Sequence, residues 1–265
     1  MTSSRKHIQP RSWRWGWILA GGLLGLFTSV LAFAPAHWLA LALSTASGDR
    51  LRLHATQGSI WHGSARLTLS GGAGSADAMH LPGRMHWVIR LGLGGVQLHL
   101  HADCCMPSPL AMELRWGWRR SELTMGTLRA SLPAQLLAGL GSPWTSVRPQ
   151  GLLTLDSPGL ALQIGTEHWS LQGRLRLLVR DFTSDLATLR PLGSYQLELS
   201  GGAQPVLRLE TLRGPLRLSG QGSWTGMHLH FEGMASADPA VEAALGTLLH
   251  LIGRRDGDRT LFTVG

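Results

Sequence analysis

The residues best suited to chemistry lie together near the middle of the chain, where His99, His101 and Asp103 precede Cys104 and Cys105. Imidazole, carboxylate and thiolate groups are ligands that zinc accepts, so one interpretation of this cluster is a metal site. However, the two histidines have the spacing of one strand face, and no second C-x-x-C or H-x₃-H element completes a set of four ligands. The sequence therefore predicts a turn here and no metal site.

Cys104 and Cys105 are the only cysteines of the chain. Because they are neighbours, a bond between them closes no long loop and restrains no distant segment. The sequence leaves three states open for them: a local disulfide, a pairing between two chains, and two free thiols.

Motifs of the common catalytic sites are missing from the sequence. The chain has no G-x-S-x-G, no H-E-x-x-H and no glycine-rich phosphate loop before a helix. Two nearby carboxylates, Asp256 and Asp258, are flanked by arginines, which indicates a charge-compensated turn and not an acid–base pair. We therefore expect a protein that is not an enzyme and that binds no cofactor.

Apolar and polar residues alternate through most of the chain from residue 50 onward, which is the period of a strand with one buried face. The clearest run is 110–118, in which Leu110, Leu114 and Trp116 share one face. Turn signals separate such runs, among them 157–159. The pattern predicts an all-β, mainly antiparallel domain over residues 50–265, built as a curved sheet, a sandwich or a partly open barrel.

Two helices are predicted to interrupt the strands. Residues 133–140 form a short one that ends at Gly141. A stronger one begins with Asp238 as its N-cap, carries apolar residues at helical spacing and ends at Gly253. We expect the apolar stripe of this C-terminal amphipathic helix to pack on the sheet.

A weak repeat is visible within the β-rich part. Trp61-His62-Gly63 and Trp224-Thr225-Gly226 both come after a Gly-Ser pair and lead into an alternating segment. This repeat allows two related halves, 50–141 and 150–265, as one organisation of the domain. The alternative is that the repeat arose by chance in a glycine-rich chain.

The first 43 residues predict a membrane anchor. The run from Trp15 to Phe33 has no charged residue, and about 20 residues rising about 1.5 Å each cross a hydrocarbon core of about 30 Å. We assign residues 15–36 to one transmembrane helix. The alternative is a cleaved signal peptide, because 32–34 has the form of a cleavage site. The length of the run and Pro35 after the cut favour an uncleaved anchor.

Four basic residues precede the apolar run, namely Arg5, Lys6, Arg11 and Arg14. Basic residues beside a transmembrane segment stay in the cytoplasm. Residues 1–14 are therefore expected to form a cytoplasmic flank of a single-pass inner-membrane protein, whose β-rich domain lies in the bacterial periplasm. The flank also holds four of the charges behind the formal net charge of +8. The remaining arginines are scattered singly, so we expect a membrane and no nucleic acid as a partner.

Several short motifs resemble, in their order and spacing, those of the protein N family of bacterial type II secretion systems. The positions that carry the resemblance are Trp61 and Gly63, then Pro191, Gly193 and Tyr195, then Gly214 and Pro215, and finally Gly253, Arg254, Arg255, Gly257, Asp258 and Arg259. The family offers no catalytic residues to carry over. The resemblance implies that these positions are structural or bind a partner.

The resemblance also implies a function. The chain is expected to be an accessory inner-membrane component of the general secretory pathway, which supports export of folded proteins across the outer membrane together with other secretion components. A second interpretation comes from another class of protein. A curved sheet with one continuous apolar face suits acyl chains, as in periplasmic lipid-handling proteins of the AsmA-like or LolA-like kind, so a bound lipid stays open as an alternative.

Overall fold

The computed structural model describes residues 13–75, 77–118, 120–142, 144–165, 169–226, 228–238, 241, 245–246, 249, 253–256 and 259–264. Two helices come first, α1 (Trp13–Ala32) and α2 (Ala36–Ala46). Helix α1 ends at Ala32, before the predicted anchor boundary at residue 36, because Pro35 has no N–H to donate and its ring clashes with a preceding helical turn. Within the described part of the chain, no helix is both long and apolar enough to cross a membrane. The anchor therefore stays a prediction.

Among the described residues, sixteen strands make up most of the remainder, and every paired neighbour is antiparallel. Their bounds are β1 Leu51–Gly58, β2 His62–Ser70, β3 Ala78–His80, β4 Met85–Gly92, β5 Gly95–Ala102, β6 Leu110–Trp116, β7 Arg120–Met125, β8 Leu128–Pro133, β9 Gln150–Gly165, β10 Trp169–Thr183, β11 Gly193–Gly202, β12 Val206–Arg213, β13 Leu216–Thr225, β14 His228–Ala237, β15 Arg254–Asp256 and β16 Arg259–Val264. The predicted short helix is a 3₁₀ helix, Ala134–Leu140, and a single turn, α3 (Trp144–Val147), follows it.

The strands form one sheet in the order β1-β2-β4-β5-β6-β7-β9-β10-β11-β12-β13-β14-β16-β15, with β3 on β2 and β8 on β9. Most neighbours in space are neighbours in the chain, which is the arrangement of an antiparallel meander. The two end strands, β1 and β15, do not pair with each other within the described residues, so the sheet is open. The predicted all-β, mainly antiparallel class is confirmed, and the described strands form an open sheet.

Strand β9 lies in the middle of the sheet, where it pairs with β7, β8 and β10. It pairs with β8 as far as Ser157 and with β7 from Leu160 onward. The predicted turn at 157–159 is wrong, since the register shifts there within a continuous strand. The buried Ser157 hydroxyl donates to the Arg174 carbonyl at 2.6 Å, and a bulge accommodates Pro158, which has no N–H for the ladder. The sheet therefore runs unbroken between the two proposed halves, whose relationship stays a prediction.

Three buried clusters lie along the sheet. The α2 core holds Ala36, Leu53, Ala65 and Trp87. The middle core holds Leu81, Ala102, Cys105 and Leu136. The C-terminal core holds Ala187, Leu192, Tyr195, Leu216, Ala235, Leu245 and Leu249. Each core lies where a helix, or a turn outside the strands, meets the apolar face of the sheet.

The predicted C-terminal helix lies largely outside the described residues. Within it, Leu245 and Leu249 are described, and both have helical backbone and belong to the C-terminal core. Their spacing of four puts them on one helix face. This agrees with the prediction that the apolar stripe packs on the sheet.

Candidate functional site: an uncovered apolar face between two motif clusters

Apolar side chains stand opposite one another across six neighbouring strands on one face of the sheet. This row, which we call the apolar row, is Leu91, Val96, Leu114, Leu123, Leu162 and Leu171. Leu91 is 62% exposed and Leu114 is 41% exposed. A row in direct cross-strand contact stabilises the sheet. Its outer surface, however, remains open to a ligand or partner.

The run 110–118 shows how far the sequence prediction holds. The alternation is confirmed for the first seven residues of the run, which form β6 (Leu110–Trp116), whereas Trp118 lies in the turn that follows. The prediction that its whole apolar face is buried is wrong, because Leu110 is 7% exposed whereas Leu114 and Trp116 are 41% and 53% exposed. Alternation shows which residues share a face. It does not show whether a second layer covers that face.

The opposite face of the sheet carries charges of alternating sign. On five neighbouring strands, the residues that stand opposite one another are Arg129, Asp156, Arg176, Glu198 and Arg208. Glu198 contacts Arg176 at 3.3 Å. Cross-strand pairs of opposite charge stabilise a sheet by about 0.2–1 kcal/mol each. The arrangement is that of a solvated, charge-compensated surface.

The apolar face is concave towards its C-terminal end. Trp169 on β10 and Trp224 on β13 are separated by two strands, yet their rings meet edge to face with centroids 6.2 Å apart. Trp169 Nε1 also donates to the Gly226 carbonyl at 2.6 Å. A flat sheet would hold strands β10 and β13 about 14 Å apart. The sheet therefore curves around its apolar face, as one of the predicted architectures requires.

The first motif cluster joins the helices to the sheet, and we call it the α1 junction. Trp61 Nε1 donates to the Leu31 carbonyl at 3.0 Å, and the Ile60 N–H donates to the Ala34 carbonyl, also at 3.0 Å. The Trp61 carbonyl in turn accepts from the Ile89 N–H at 2.7 Å. Trp61 thus links the end of α1 to strand β4.

Gly63 belongs to the same junction. A Cβ on Gly63 would collide with the ring of Trp87 and with neighbouring carbonyls. The Trp87 indole N–H donates to the Ile60 carbonyl at 3.0 Å, which fixes the ring over the glycine. Gly63 is therefore needed for close packing within the α2 core.

The second motif cluster brings together two segments that are 17 or more residues apart in the chain, 191–195 and 212–216. The Leu216 N–H donates to the Leu192 carbonyl at 3.1 Å. Gly214 has a φ of +124°, and a Cβ there would collide with the Cα of Gly193. This cluster lies at the base of the C-terminal core, where Tyr195 is buried and Gly193 and Gly214 are in close backbone contact.

A polar network holds the second cluster from outside. The Arg213 guanidinium contacts the Asp181 carboxylate at 2.7 Å. The Ser194 hydroxyl oxygen accepts from the Asp181 N–H at 3.1 Å and from Arg213 Nε at 3.3 Å. The sequence analysis missed this network, because no local motif links three residues from β10, β11 and β12.

Tyr195 is the only tyrosine of the chain. It is 4% exposed, and its hydroxyl donates to the Leu216 carbonyl at 3.1 Å. Burial raises the pKa of the Tyr195 phenol well above its ordinary value, because a buried phenolate loses its hydration. Tyr195 is thus a neutral structural donor that ties β11 to β13.

The third motif forms the end of the sheet. The Gly253 N–H donates to the Leu249 carbonyl at 3.3 Å, and β15 then pairs with β16, with Arg254 opposite Leu261 and Arg255 opposite Thr260. Gly257 and Asp258 lie outside the described residues. Pro215 accepts a hydrogen bond from the Asp238 N–H at 3.2 Å, and Pro191 follows a cis peptide bond. Whether these positions also bind a partner stays a prediction.

The candidate metal ligands at residues 99–105 contact different partners and do not converge on one point. Cys104 and Cys105 form a disulfide with each other, which is one of the three states left open by the sequence. Asp103 lies 3.2 Å from His86 and 3.9 Å from His101. In the part of the chain that the structure describes, no three His, Cys, Asp or Glu side chains are arranged to hold a metal ion.

The disulfide turn has a packing role that the sequence analysis missed. Cys105 is buried in the middle core with Leu81 and Leu136, and its carbonyl accepts from the Ser131 N–H at 2.8 Å. Cys104 is exposed. The turn therefore fills the space between β3 and β8, which pair with different strands.

The basic residues of the predicted flank are not tested by the structure. Arg5, Lys6, Arg11 and the side chain of Arg14 lie outside the described part.

Helix α2 was missed by the sequence analysis, although Pro35 was a usable signal. A proline is favoured where a helix begins, and the apolar residues after it then read as a second helix.

Comparison with known families matches residues 49–262 to the description "Type II secretion system (T2SS), protein N". A search of curated proteins and a search of solved structures each found no match. The matched range begins shortly after the end of α2 and contains every motif position named in the sequence analysis, from Trp61 to Arg259. With a match over most of its length, the chain belongs to the protein N family of the type II secretion system.

Proposed function

We propose that this protein is a non-catalytic accessory component of type II secretion, held in the inner membrane by α1 and exposing its sheet to the periplasm. The observation that carries the proposal is the family match over residues 49–262. Two features of the sheet agree with the proposal: the charges on strands β8 to β12 compensate one another across the strands, and part of the apolar face is exposed, at Leu91 and Leu114. These are properties of a surface that contacts other molecules.

The anchor is supported by the sequence and by the exposure of α1. The run from Trp15 to Phe33 has no charged residue. All side chains from Trp17 to Phe33 are exposed, on every side of the helix. A helix that is apolar all round is unfavourable in water and needs a surrounding apolar phase. A bilayer around α1 meets this need, and the basic flank then orients the sheet towards the periplasm.

Export assays test the secretion role. Deleting the protein should leave type II substrates in the periplasm, and the full chain supplied in trans should restore their export. A scan of exposed polar residues of the sheet, read for both export and protein abundance, tests the absence of catalysis. An interface spreads its energy over several residues, whereas an active site concentrates it in a few. If two neighbouring substitutions each abolished export at normal protein abundance, the result would contradict an interaction surface and would indicate an active site instead.

A topology assay tests the anchor separately. A reporter that works only in the periplasm, fused after Gly265, should be active, and the full-length chain should stay in the inner-membrane fraction. Recovery of a soluble form that begins at Pro35 would instead identify a cleaved signal peptide.

Lipid binding is the second candidate function, and the apolar row favours it. Two residues of that row, Leu91 and Leu114, are exposed on a continuous apolar face, which suits an acyl chain better than a polar ligand. Native mass spectrometry of the detergent-purified full chain should then detect a bound phospholipid. The Leu114→Asp variant should lose the lipid while its fold is retained, and retention of lipid by the variant would exclude the row as the site.

A further inference from the structure

We propose that two hairpin tips, β4–β5 and β6–β7, rest on the periplasmic surface of the same bilayer that holds α1. Leu93 and Trp118 would insert into the interfacial layer of that bilayer. The proposal rests on the proposed anchoring of α1. It adds a second contact with the membrane, made by the sheet and not by a helix.

Both hairpin tips carry large apolar side chains, which a hairpin turn does not require. Leu93 and Trp118 are fully exposed, and Trp116 beside the second tip is 53% exposed. Hairpin turns favour Gly, Asn, Asp and Ser for reasons of backbone geometry. Large apolar residues in these positions cost solubility in water. Tryptophan, however, is enriched where a protein meets the interfacial layer of a membrane.

The first tip lies at the same end of the sheet as the end of α1. Trp61 contacts the Leu31 carbonyl through its indole N–H at 3.0 Å and accepts from the Ile89 N–H at 2.7 Å. In the ladder, His62 pairs with Val88 of β4. The β1–β2 turn is therefore level with Val88 and Ile89 in the middle of β4, and Leu93 lies four residues, or about 14 Å, beyond that level at the same end of the sheet. If α1 ends at the bilayer surface and the β4–β5 hairpin points towards that surface, the tip reaches it.

The second tip reaches the same level as the first. The Trp116 N–H donates to the carbonyl of Gly94, within the first tip, at 3.2 Å. Strands β6 and β7 are three and four places from β2 in the sheet, which corresponds to about 14 to 19 Å. Both tips therefore lie within a short lateral distance of the α1 junction.

The charges near the tips suit a bilayer with anionic headgroups. Arg90 and Arg120 are exposed and have no ion pair within the described residues. Arg115 contacts the Glu113 carboxylate at 2.8 Å, so this pair adds little net charge. Basic residues close to a membrane are attracted by anionic lipids.

The β9–β10 and β10–β11 connections lack these features. Beside the β9–β10 tip, Trp169 is engaged by the Gly226 carbonyl and by the ring of Trp224. At the opposite rim, the connection between β10 and β11 exposes Asp185, Thr188 and Arg190. Thr188 therefore provides a matched control position away from the proposed contact.

The experiment uses the full-length chain with one fluorescent label at a time. Leu93→Cys, Trp118→Cys and Thr188→Cys are labelled under non-reducing conditions, so that the Cys104–Cys105 bond stays closed. Each chain is reconstituted into vesicles of phosphatidylethanolamine and phosphatidylglycerol, with or without a nitroxide-bearing lipid that quenches fluorescence near the headgroups. Flotation measures whether the chain is held by the vesicles, and circular dichroism checks that each variant keeps its strands.

Quenching of the labels at 93 and 118 by about twofold, with little quenching at 188, is the expected result for side chains in the interfacial layer. A chain that floats with the vesicles but shows equal, weak quenching at all three positions overturns the proposed contact and leaves the anchor intact. Weak quenching together with a phospholipid that stays bound in detergent overturns it in favour of the lipid-binding face. A chain that does not float overturns the anchor and this contact together.

Discussion

Strands β11 to β14 have their apolar face covered, whereas strands β4 to β7 have theirs partly in the open. In the first region Leu192 and Leu216 are buried beside Leu245 of the C-terminal segment. In the second region Leu91 and Leu114 are exposed on the same continuous face. The alternation is the same in both regions. The difference shows that burial comes from the covering segment and not from the strand pattern.

The two regions also differ in how side chains fill the face. In the covered region, glycine positions at Gly220 and Gly233 leave space that the rings of Phe231 and Phe262 occupy, and these rings stack with centroids 6.0 Å apart. In the open region, leucines stand in direct rows. A covered face therefore needs shape complementarity between unlike side chains. An open face needs only contact between side chains on neighbouring strands, so its outer surface is available to a ligand or partner.

The largest expected effect is a collapse of the covered region in Gly214→Val. A side chain at Gly214 would collide with the Cα of Gly193 at a φ of +124°, so we expect a loss of about 4 kcal/mol or failure to fold. Gly94→Val is the matched control, since its φ is +92° but the surrounding space is open. It should lose only about 1–2 kcal/mol. Denaturation followed by circular dichroism gives both values, and equal losses would contradict the difference between the regions.

The boundary between the covered and the open part of the apolar face crosses β6 between Leu110 and Leu114. Two arginine substitutions can locate it. Leu110→Arg puts a charge where the side chain is 7% exposed, so a loss of about 3 kcal/mol or more is expected. Leu114→Arg lies on the same face but is 41% exposed, and it should lose less than about 1 kcal/mol. Melting temperatures of the two variants decide the matter. A severe effect at Leu114 would mean that another layer covers the row.

The middle core tests whether the disulfide turn acts through packing or through its bond. Replacing Cys104 and Cys105 with alanine removes the bond but keeps Cys105's position apolar, and it should cost about 1 kcal/mol. Replacing both with serine adds a hydroxyl among Leu81 and Leu136, which should cost about 1 kcal/mol more. Thermal melts of the two double variants give the difference. A drop of more than about 10 °C in the alanine variant would show that the bond itself is needed.

Removing one hydroxyl from the covered region has a smaller effect. Tyr195→Phe deletes a buried hydrogen bond to the Leu216 carbonyl, so we expect a loss of about 1 kcal/mol. Urea denaturation should show this as a shift in midpoint with an unchanged slope. A neutral result would mean that water reaches the Leu216 carbonyl.

The smallest effect is visible only at high pH. Because burial raises the pKa of the Tyr195 phenol, the folded protein favours the neutral form over the phenolate. The stability linked to this group is present below the ordinary tyrosine pKa of about 10 and is lost as the pH rises towards the higher folded value. Since Tyr195 is the only tyrosine, phenolate absorbance reports it directly. Absorbance that rises near pH 10 in the folded protein would show that the phenol is hydrated.

Local sequence patterns were enough to predict much of the fold. The alternation of residues predicted the antiparallel strands, because side chains along a strand point to opposite faces whatever lies above them. The 3₁₀ helix before Gly141 was predicted in place for a similarly local reason, since a glycine readily takes the φ of +84° found there. The motifs around Trp61 and Tyr195 predicted the family, which the match over residues 49–262 confirms.

Tertiary structure decided the features that depend on distant partners. Ser157 and Pro158 look like a turn in the sequence, yet β7, β8 and β10 hold them in one bulged strand. Leu110 and Leu114 look alike as well, and only the arrangement of the covering segments makes one buried and the other exposed. A local pattern specifies the direction of a side chain. Its surroundings are set by segments far away in the chain, and these determine which parts of the apolar face remain open for contact.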